Sequence, residues 1–323
     1  MRDFPASQES FSTRKVSFLS SFAAELKRAD PQGGWYFGPA GWSYEDWKGR
    51  VYPRRPGRGF HPLSYLARSV NLMEVNATFY APVRARSAED WVRKVHEAPD
   101  FRFVVKAWQR FTHAGADLPS SEEARMWAEV LRPLQDAGRL LAVLVQFPFS
   151  VVHGTRIQDR ILAIRAALGA VPVACEFRHA SWITDEALGF LEREGLAFVN
   201  IDQPLGRDSL PPTAIQTAPL TYVRLHGRNR AAWFSKDAGR DARYDYHYSE
   251  AELNEWRERM QKLQATGATN ILVGNNHFHG KAVAAVLSLM NQLTGAPMIV
   301  PEPLLEQFPE LQRFRQTPPG ELF

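Results

Sequence analysis

Short apolar runs alternate along the chain with longer stretches whose apolar positions recur every three or four residues. The runs predict strands at Tyr36–Gly41, Leu72–Asn76, Phe101–Lys106, Leu140–Gln146, Val171–Glu176, Ala197–Ile201, Thr221–Leu225 and Asn270–Gly274. The periodic stretches predict helices near 63–69, 87–96, 121–137, 155–168, 184–194, 249–265 and 277–294, with starts at Ser87, Ser120 and Ser249. Strands that alternate with helices in this way define an α/β chain, here a single (β/α)8 TIM barrel over residues 35–295. The connection 203–220 carries Pro204, Pro211, Pro212 and Pro219, so the sixth outer helix should be short or missing. Residues 1–34 form an extension in which Val16, Leu19, Ala23 and Leu26 fall at helical spacing, predicting an extra N-terminal helix. Residues 296–323 are read as a tail packed on the barrel.

Polar residues end several of the apolar runs, two positions apart: Glu74 and Asn76, Glu176 and Arg178, Asn200 and Asp202, Arg224 and His226. A strand alternates faces with period two, so the members of each pair point the same way. In a barrel of this class the downstream strand ends and the loops after them build the active site. Glu74, Asn76, Lys106, Gln146, Glu176, Arg178, Asp202, Arg224, His226, Asn275 and Asn276 all belong there by position. A network of mutually satisfied charges plugging the barrel would explain each of them singly. The whole collection at one mouth points to a functional site.

Composition narrows the picture little. A net charge of +4 permits an anionic partner without requiring one. The lone Cys175 excludes an intrachain disulfide, which fits a cytoplasmic protein. Its parity is opposite to that of Glu176, which makes it inert core against the helices. No apolar run approaches the length of a membrane span, and no secretory signal is evident.

The ordered blocks Gly41-Trp42-Ser43-Tyr44 with Trp47, Glu74-Val75-Asn76-Ala77-Thr78-Phe79-Tyr80 and Phe103-Val104-Val105-Lys106 are joined by Gln146-Phe147-Pro148. Glu176-Phe177-Arg178-His179-Ala180-Ser181-Trp182, Asp202, Arg224-Leu225-His226-Gly227-Arg228 and Asn275-Asn276 follow. Together they resemble the "domain of unknown function 72" family over residues 35–295. The resemblance implies a TIM barrel and brings no assigned reaction. Pro39-Ala40 stands where that family usually has a Thr-Ser type pair, and Phe149 replaces a common Pro, departures that bear on loop shape.

Glu74 and Glu176 are the candidate acid/base carboxylates, since two carboxyls with different neighbours can divide those roles. Lys106, Arg178 and Arg224 are candidate anion holders, and Asp202 and His226 candidate orienting or relaying groups. Glu74, Glu176, Asp202 and His226 are acceptable ligands for Mn²⁺, Zn²⁺ or Mg²⁺, with Glu74, Glu176 and His226 the set most suited. Three cations compete for those carboxylates and no metal motif appears, so a metal is the less favoured reading. His277 and His279, near a helix start, read as surface or capping residues. The loop His226-Gly227-Arg228-Asn229-Arg230 and the segment Gly274-Asn275-Asn276 occupy the usual phosphate position of such barrels, where Gly227 and Arg228 would bind. Aromatic residues crowd the same rim; among them Trp42, Tyr44, Tyr80 and Trp182 are candidate substrate contacts.

These residues predict an enzyme, hydrolase or lyase-like, acting on a phosphorylated or other anionic substrate. Two alternatives remain open: a nucleic-acid-binding or repair-associated protein using the basic aromatic rim, and a sugar-phosphate isomerase-like barrel. Substrate, cofactor and oligomeric state are not specified by the sequence.

Overall fold

A computed structural model describes residues 34–316 except 82, 114–117, 236, 265 and 267, so the expected N-terminal helix lies outside the described residues. The eight strands form one parallel sheet: β1 Trp35–Pro39, β2 Leu72–Val75, β3 Arg102–Lys106, β4 Leu140–Gln146, β5 Val173–Glu176, β6 Ala197–Asp202, β7 Leu220–Leu225 and β8 Thr269–Gly274. Their spatial order is β1-β8-β7-β6-β5-β4-β3-β2. The sheet closes where β1 returns to β2. Ala40 bridges Glu74 in parallel, the Gly41 N–H donates to the Glu74 carbonyl at 2.9 Å, and the Asn71 side chain accepts from Phe37 N–H and donates to Trp35 O. Gly38 makes that closure feasible, because a Cβ there would lie 1.9 Å from the Leu72 carbonyl oxygen. The chain is a (β/α)8 barrel.

The expected helices appear with small shifts at their ends. The strongest match is Thr155–Leu168, where Ile161, Ile164 and Leu168 repeat at helical spacing and are buried. Ser120 forms the reciprocal capping box with Glu123. Ser249 and Glu252 exchange hydrogen bonds in the same pattern before Glu250–Gln264. Ser87 does not start its helix: Ala85–Lys94 begins after the extended Arg84, with no side-chain cap.

Between β6 and β7 no helix forms. Asn200 Oδ1 accepts from Thr213 Oγ1 and Ile215 N–H, and Thr217 Oγ1 accepts from Phe198 N–H and donates to Leu196 O. These side chains supply the polar partners that a helix would have found within itself, so a proline-rich strap replaces the sixth helix. At the other end of the chain, Met298, Leu304, Leu311 and Phe314 are buried in the core that also holds the helix Lys281–Thr294.

Cys175 is fully buried, and burial pushes its thiol up to about 12, with Arg165 of the helix layer opposing. It is structural. Among the described residues no helix is long and apolar enough to cross a membrane.

Candidate functional site

The lumen of the barrel is occupied near its mouth by a polar cluster. Arg224 on β7 grips Glu74 on β2 bidentately: Nε donates to Oε2 at 2.8 Å and Nη2 to Oε1 at 2.6 Å. Its Nη1 donates to Glu176 Oε2 on β5 at 2.8 Å, and Nη2 also reaches Asn275 Oδ1 at 3.0 Å. None of these strands neighbours β7, so the bonds run through the interior. Tyr222 OH donates to Glu74 Oε2 at 2.6 Å, and Arg178 Nη2 lies 2.7 Å from Glu176 Oε1. Two buried carboxylates thus face two guanidiniums. Burial alone would raise the Glu176 carboxyl, yet Arg224, Arg178 and His226 hold it well below the usual carboxylate range.

His226 completes the cluster as a neutral ring. Burial and Arg178 push its pKa down to about 3 against the pull of Glu176. Because Asn275 Oδ1 accepts from Arg224, its Nδ2 faces and donates to His226 Nδ1 at 2.9 Å. The ring proton therefore sits on Nε2, 3.3 Å from Glu176 Oε1. Near neutral pH the buried ring is uncharged, with its Nε2 facing Glu176. The suggested metal set, Glu74, Glu176 and His226, is brought together, but a cation would have to displace Arg224. Among the described residues no cluster of three or more His, Cys, Asp or Glu is arranged for a metal.

Above this cluster opens a cavity of about 850 Å³. Of the expected site residues, Trp42, Tyr44, Asn76, Tyr80, Lys106, Gln146, Arg178, Arg224 and Asn275 line it. Glu74, Glu176 and His226 lie beneath, fully buried. Among the described residues the lining contains five basic side chains, Lys106, Arg178, Arg207, Arg224 and Arg243, and no carboxylate.

Lys106 ends β3 and points into the lumen. Its carbonyl accepts from Thr78 Oγ1 at 2.6 Å, which seats the turn Ala77–Tyr80 over the strand and lays Phe79 against the amine, 3.8 Å from ring centroid to Nζ. Burial first, then Arg224 and Arg178, press the Lys106 pKa down to about 7, although Glu176 and Glu74 pull it up. His113, another lining residue, is lowered by burial, then by Lys106 and Arg178.

Five expected contacts lie elsewhere. Asp202 shares its register position with Leu225, not with inward-pointing Arg224, and faces the helix layer. There Arg228 Nε donates to both its oxygens, at 3.0 and 2.9 Å. Arg228 also pairs with Glu252 and Glu255, so it is consumed outside the cavity. Gly227, at φ 87°, packs so closely that an added Cβ would lie 2.5 Å from Tyr246 Cβ, and its N–H donates to Tyr248 OH. Asn276 donates to the Tyr246 carbonyl. The loop read as a phosphate site is therefore closed by residues 246–248. Trp182 stacks on Phe177 at 3.6 Å, donates to Val151 O, and is core.

Other lining residues had little or no sequence signal. Arg207 lies in the strap, and Arg243 ends the single helical turn Arg240–Arg243 after β7, too short for a readable period. His277 is buried and stacks on Tyr44 at 4.4 Å, contrary to the surface or capping role expected of it. Its position directly after the block Asn275-Asn276 was the clue to this placement.

Fold and site define a (β/α)8 barrel with a cation-lined cavity at its C-terminal mouth. The family described as "Protein of unknown function DUF72" matches residues 36–310, and the chain belongs to it. It is 30% identical to the UPF0759 protein YunF of Bacillus subtilis (strain 168), over 76% of this chain and 90% of that protein. The crystal structure of a DUF72 family protein, TM1631 from Thermotoga maritima MSB8, matches with a TM-score of 0.70 at 32% identity, covering 80% of this chain and 98% of that one. That of EF0366 from Enterococcus faecalis V583 matches with a TM-score of 0.70 at 24% identity, covering 83% and 98%.

Proposed function

We propose that the protein is an enzyme that binds a small anionic substrate with an apolar or aromatic portion and acts on it by proton transfer through Lys106. The observation that carries this reading is the cavity lining: among the described residues, four arginines, no carboxylate, and a lysine amine whose surroundings leave it partly uncharged near neutral pH. A carboxylate or phosphate entering between Arg178 and Lys106 meets positive potential in a partly desolvated pocket, where charge-assisted hydrogen bonds are strong. Phe79, Tyr80, Phe149 and Phe234 supply apolar surface towards the rim. Glu74 and Glu176, bound by Arg224, act as the charged floor that positions the cations and not as the acid/base pair.

Of the hydrolase and lyase-like alternatives this arrangement favours the second. A neutral lysine is a competent base, whereas no carboxylate among the described lining residues is available to activate water. The cations gather inside a concave cavity instead of tracking a groove, which favours a small molecule over a nucleic-acid strand.

The test is a calorimetric titration with phenyl phosphate and with benzyl alcohol as its uncharged counterpart. Phenyl phosphate is expected to bind at least about tenfold more tightly, and Arg178→Met to remove most of the difference. Equal binding of the two compounds, or an unchanged preference in a folded Arg178→Met variant, refutes the reading.

A further inference from the structure

Lys106 is surrounded in a way that suits neither a structural ion pair nor a simple anion holder. The two carboxylates that act on it electrostatically are already engaged, Glu74 by Arg224 and Tyr222, Glu176 by Arg224 and Arg178. Among the described residues the Lys106 amine has no ion pair and no side-chain hydrogen bond. Its recorded contact is the face of Phe79. It is 9% exposed, and that remaining surface opens into the cavity. For holding an anion the amine is redundant, because Arg178 and Arg224 stand beside it with guanidiniums that do not deprotonate. Burial and neighbouring cations favour the uncharged, nucleophilic form of such an amine, against the cation–π attraction of the Phe79 face.

We infer that Lys106 condenses with the carbonyl group of an anionic oxo compound, an aldehyde or ketone that carries a carboxylate or phosphate, to form an imine. The inference rests on the anion-binding reading above and names the substrate class for that same cavity. The nitrogen lone pair attacks the carbonyl carbon, a C–N bond forms, and the carbonyl π electrons move to oxygen, which takes one of the amine's own protons. The carbinolamine then loses that hydroxyl together with the second amine proton as water. The C=N bond replaces C=O with no outside oxidant or reductant. When protonated, the imine carries a positive charge at a place already crowded with cations, and the substrate's own anionic group offsets it. That is why an anionic carbonyl compound fits this cavity better than a neutral one. The apolar walls restrict the water that would reverse the condensation.

The experiment incubates the protein near pH 7.5 with phenylpyruvate, or with pyruvate as a smaller probe, in the presence of sodium cyanoborohydride. Hydride from that reagent reduces an imine to a stable secondary amine. Intact mass and peptide mapping then locate the adduct, and phenyl phosphate serves as a competitor that cannot condense. The expected result is a single addition at Lys106, at least about tenfold faster than at any other lysine, slowed by phenyl phosphate and absent from Lys106→Met. Mapping on the unsubstituted protein makes the result independent of whether the variant folds. If phenyl phosphate binds but neither probe labels Lys106 faster than the exposed lysines, the imine inference is overturned while the anion-binding reading stands. If neither phenyl phosphate nor the oxo acids bind, both fall.

Discussion

Two ion clusters sit at strand ends of this barrel, one buried and one reaching the surface, and only the first faces the cavity. The inner cluster joins Glu74, Glu176, Arg178 and Arg224 across the lumen, beneath an opening of about 850 Å³. The outer cluster joins Asp202 to Arg228, with Glu252 and Glu255, between β6 and the helix Glu250–Gln264. Their residue types are nearly the same, and both carboxylates at the ends of β5 and β6 are buried. What separates them is direction. The inner cluster leaves cations and an amine turned towards open space. The outer one spends Arg228 on three carboxylates and keeps nothing for a ligand.

The sharpest way to break this contrast is to remove the central cation of the inner cluster. Arg224→Met leaves two buried carboxylates without their main partner, and breaking a buried pair from one side costs roughly 3–5 kcal/mol. Urea unfolding should show that loss, with phenyl phosphate binding abolished as well. On the outer side, Asp202→Asn keeps the shape and removes a charge paired with a quarter-exposed Arg228. A loss of about 1–2 kcal/mol is expected, with affinity for phenyl phosphate unchanged. If Asp202→Asn weakens the ligand as much as Arg178→Met does, the division between the clusters is wrong.

Acid sharpens the same division. The folded pKa of Glu176 is depressed, so its stabilising contribution is present above its ordinary value of 4.5 and fades as pH falls below it. In that range the unfolded chain binds more protons than the folded one, and stability drops. Glu176→Gln should flatten this acid limb in urea titrations below pH 4.5, at a cost in stability near neutrality. The smallest expected effect on stability belongs to Lys106→Met. Removing an amine without an ion pair should shift unfolding by less than about 1 kcal/mol while eliminating reactivity at the cavity.

Much of the barrel was legible because its signals are local. Thr155–Leu168 shows a clear helical period, Ser120 and Glu123 spell a capping box, and the prolines of 203–220 forbid the helix that is indeed absent. Glu74, Glu176, Lys106 and Arg224 converge as strand-end position suggested. Phase was not legible. A strand buried on both faces can turn polar residues to either face, so the same-parity pair Asn200 and Asp202 in β6 does not tell which parity points inward. Asp202 was therefore grouped with Arg224, although the β6–β7 register turns it to the opposite face. Gly227 and Arg228 were misplaced for a related reason: their loop is closed by Tyr246 and Tyr248, residues distant in sequence. Arg207 reaches the cavity from the strap and Arg243 from the one-turn helix Arg240–Arg243, segments whose course depends on tertiary packing.

The central claim is that the cavity presents a lysine amine, partly uncharged near neutral pH, among fixed cations. Its charged neighbours are Arg224, Arg178, Glu176 and Glu74, with His113 also facing it. NMR titration of protein carrying ¹³Cε-labelled lysine, with Lys106 assigned by the Lys106→Met spectrum, measures this charge state directly. The account predicts one lysine that titrates with a midpoint near 7, far from its ordinary 10.5. A Lys106 resonance that stays charged until its ordinary pH range would contradict it.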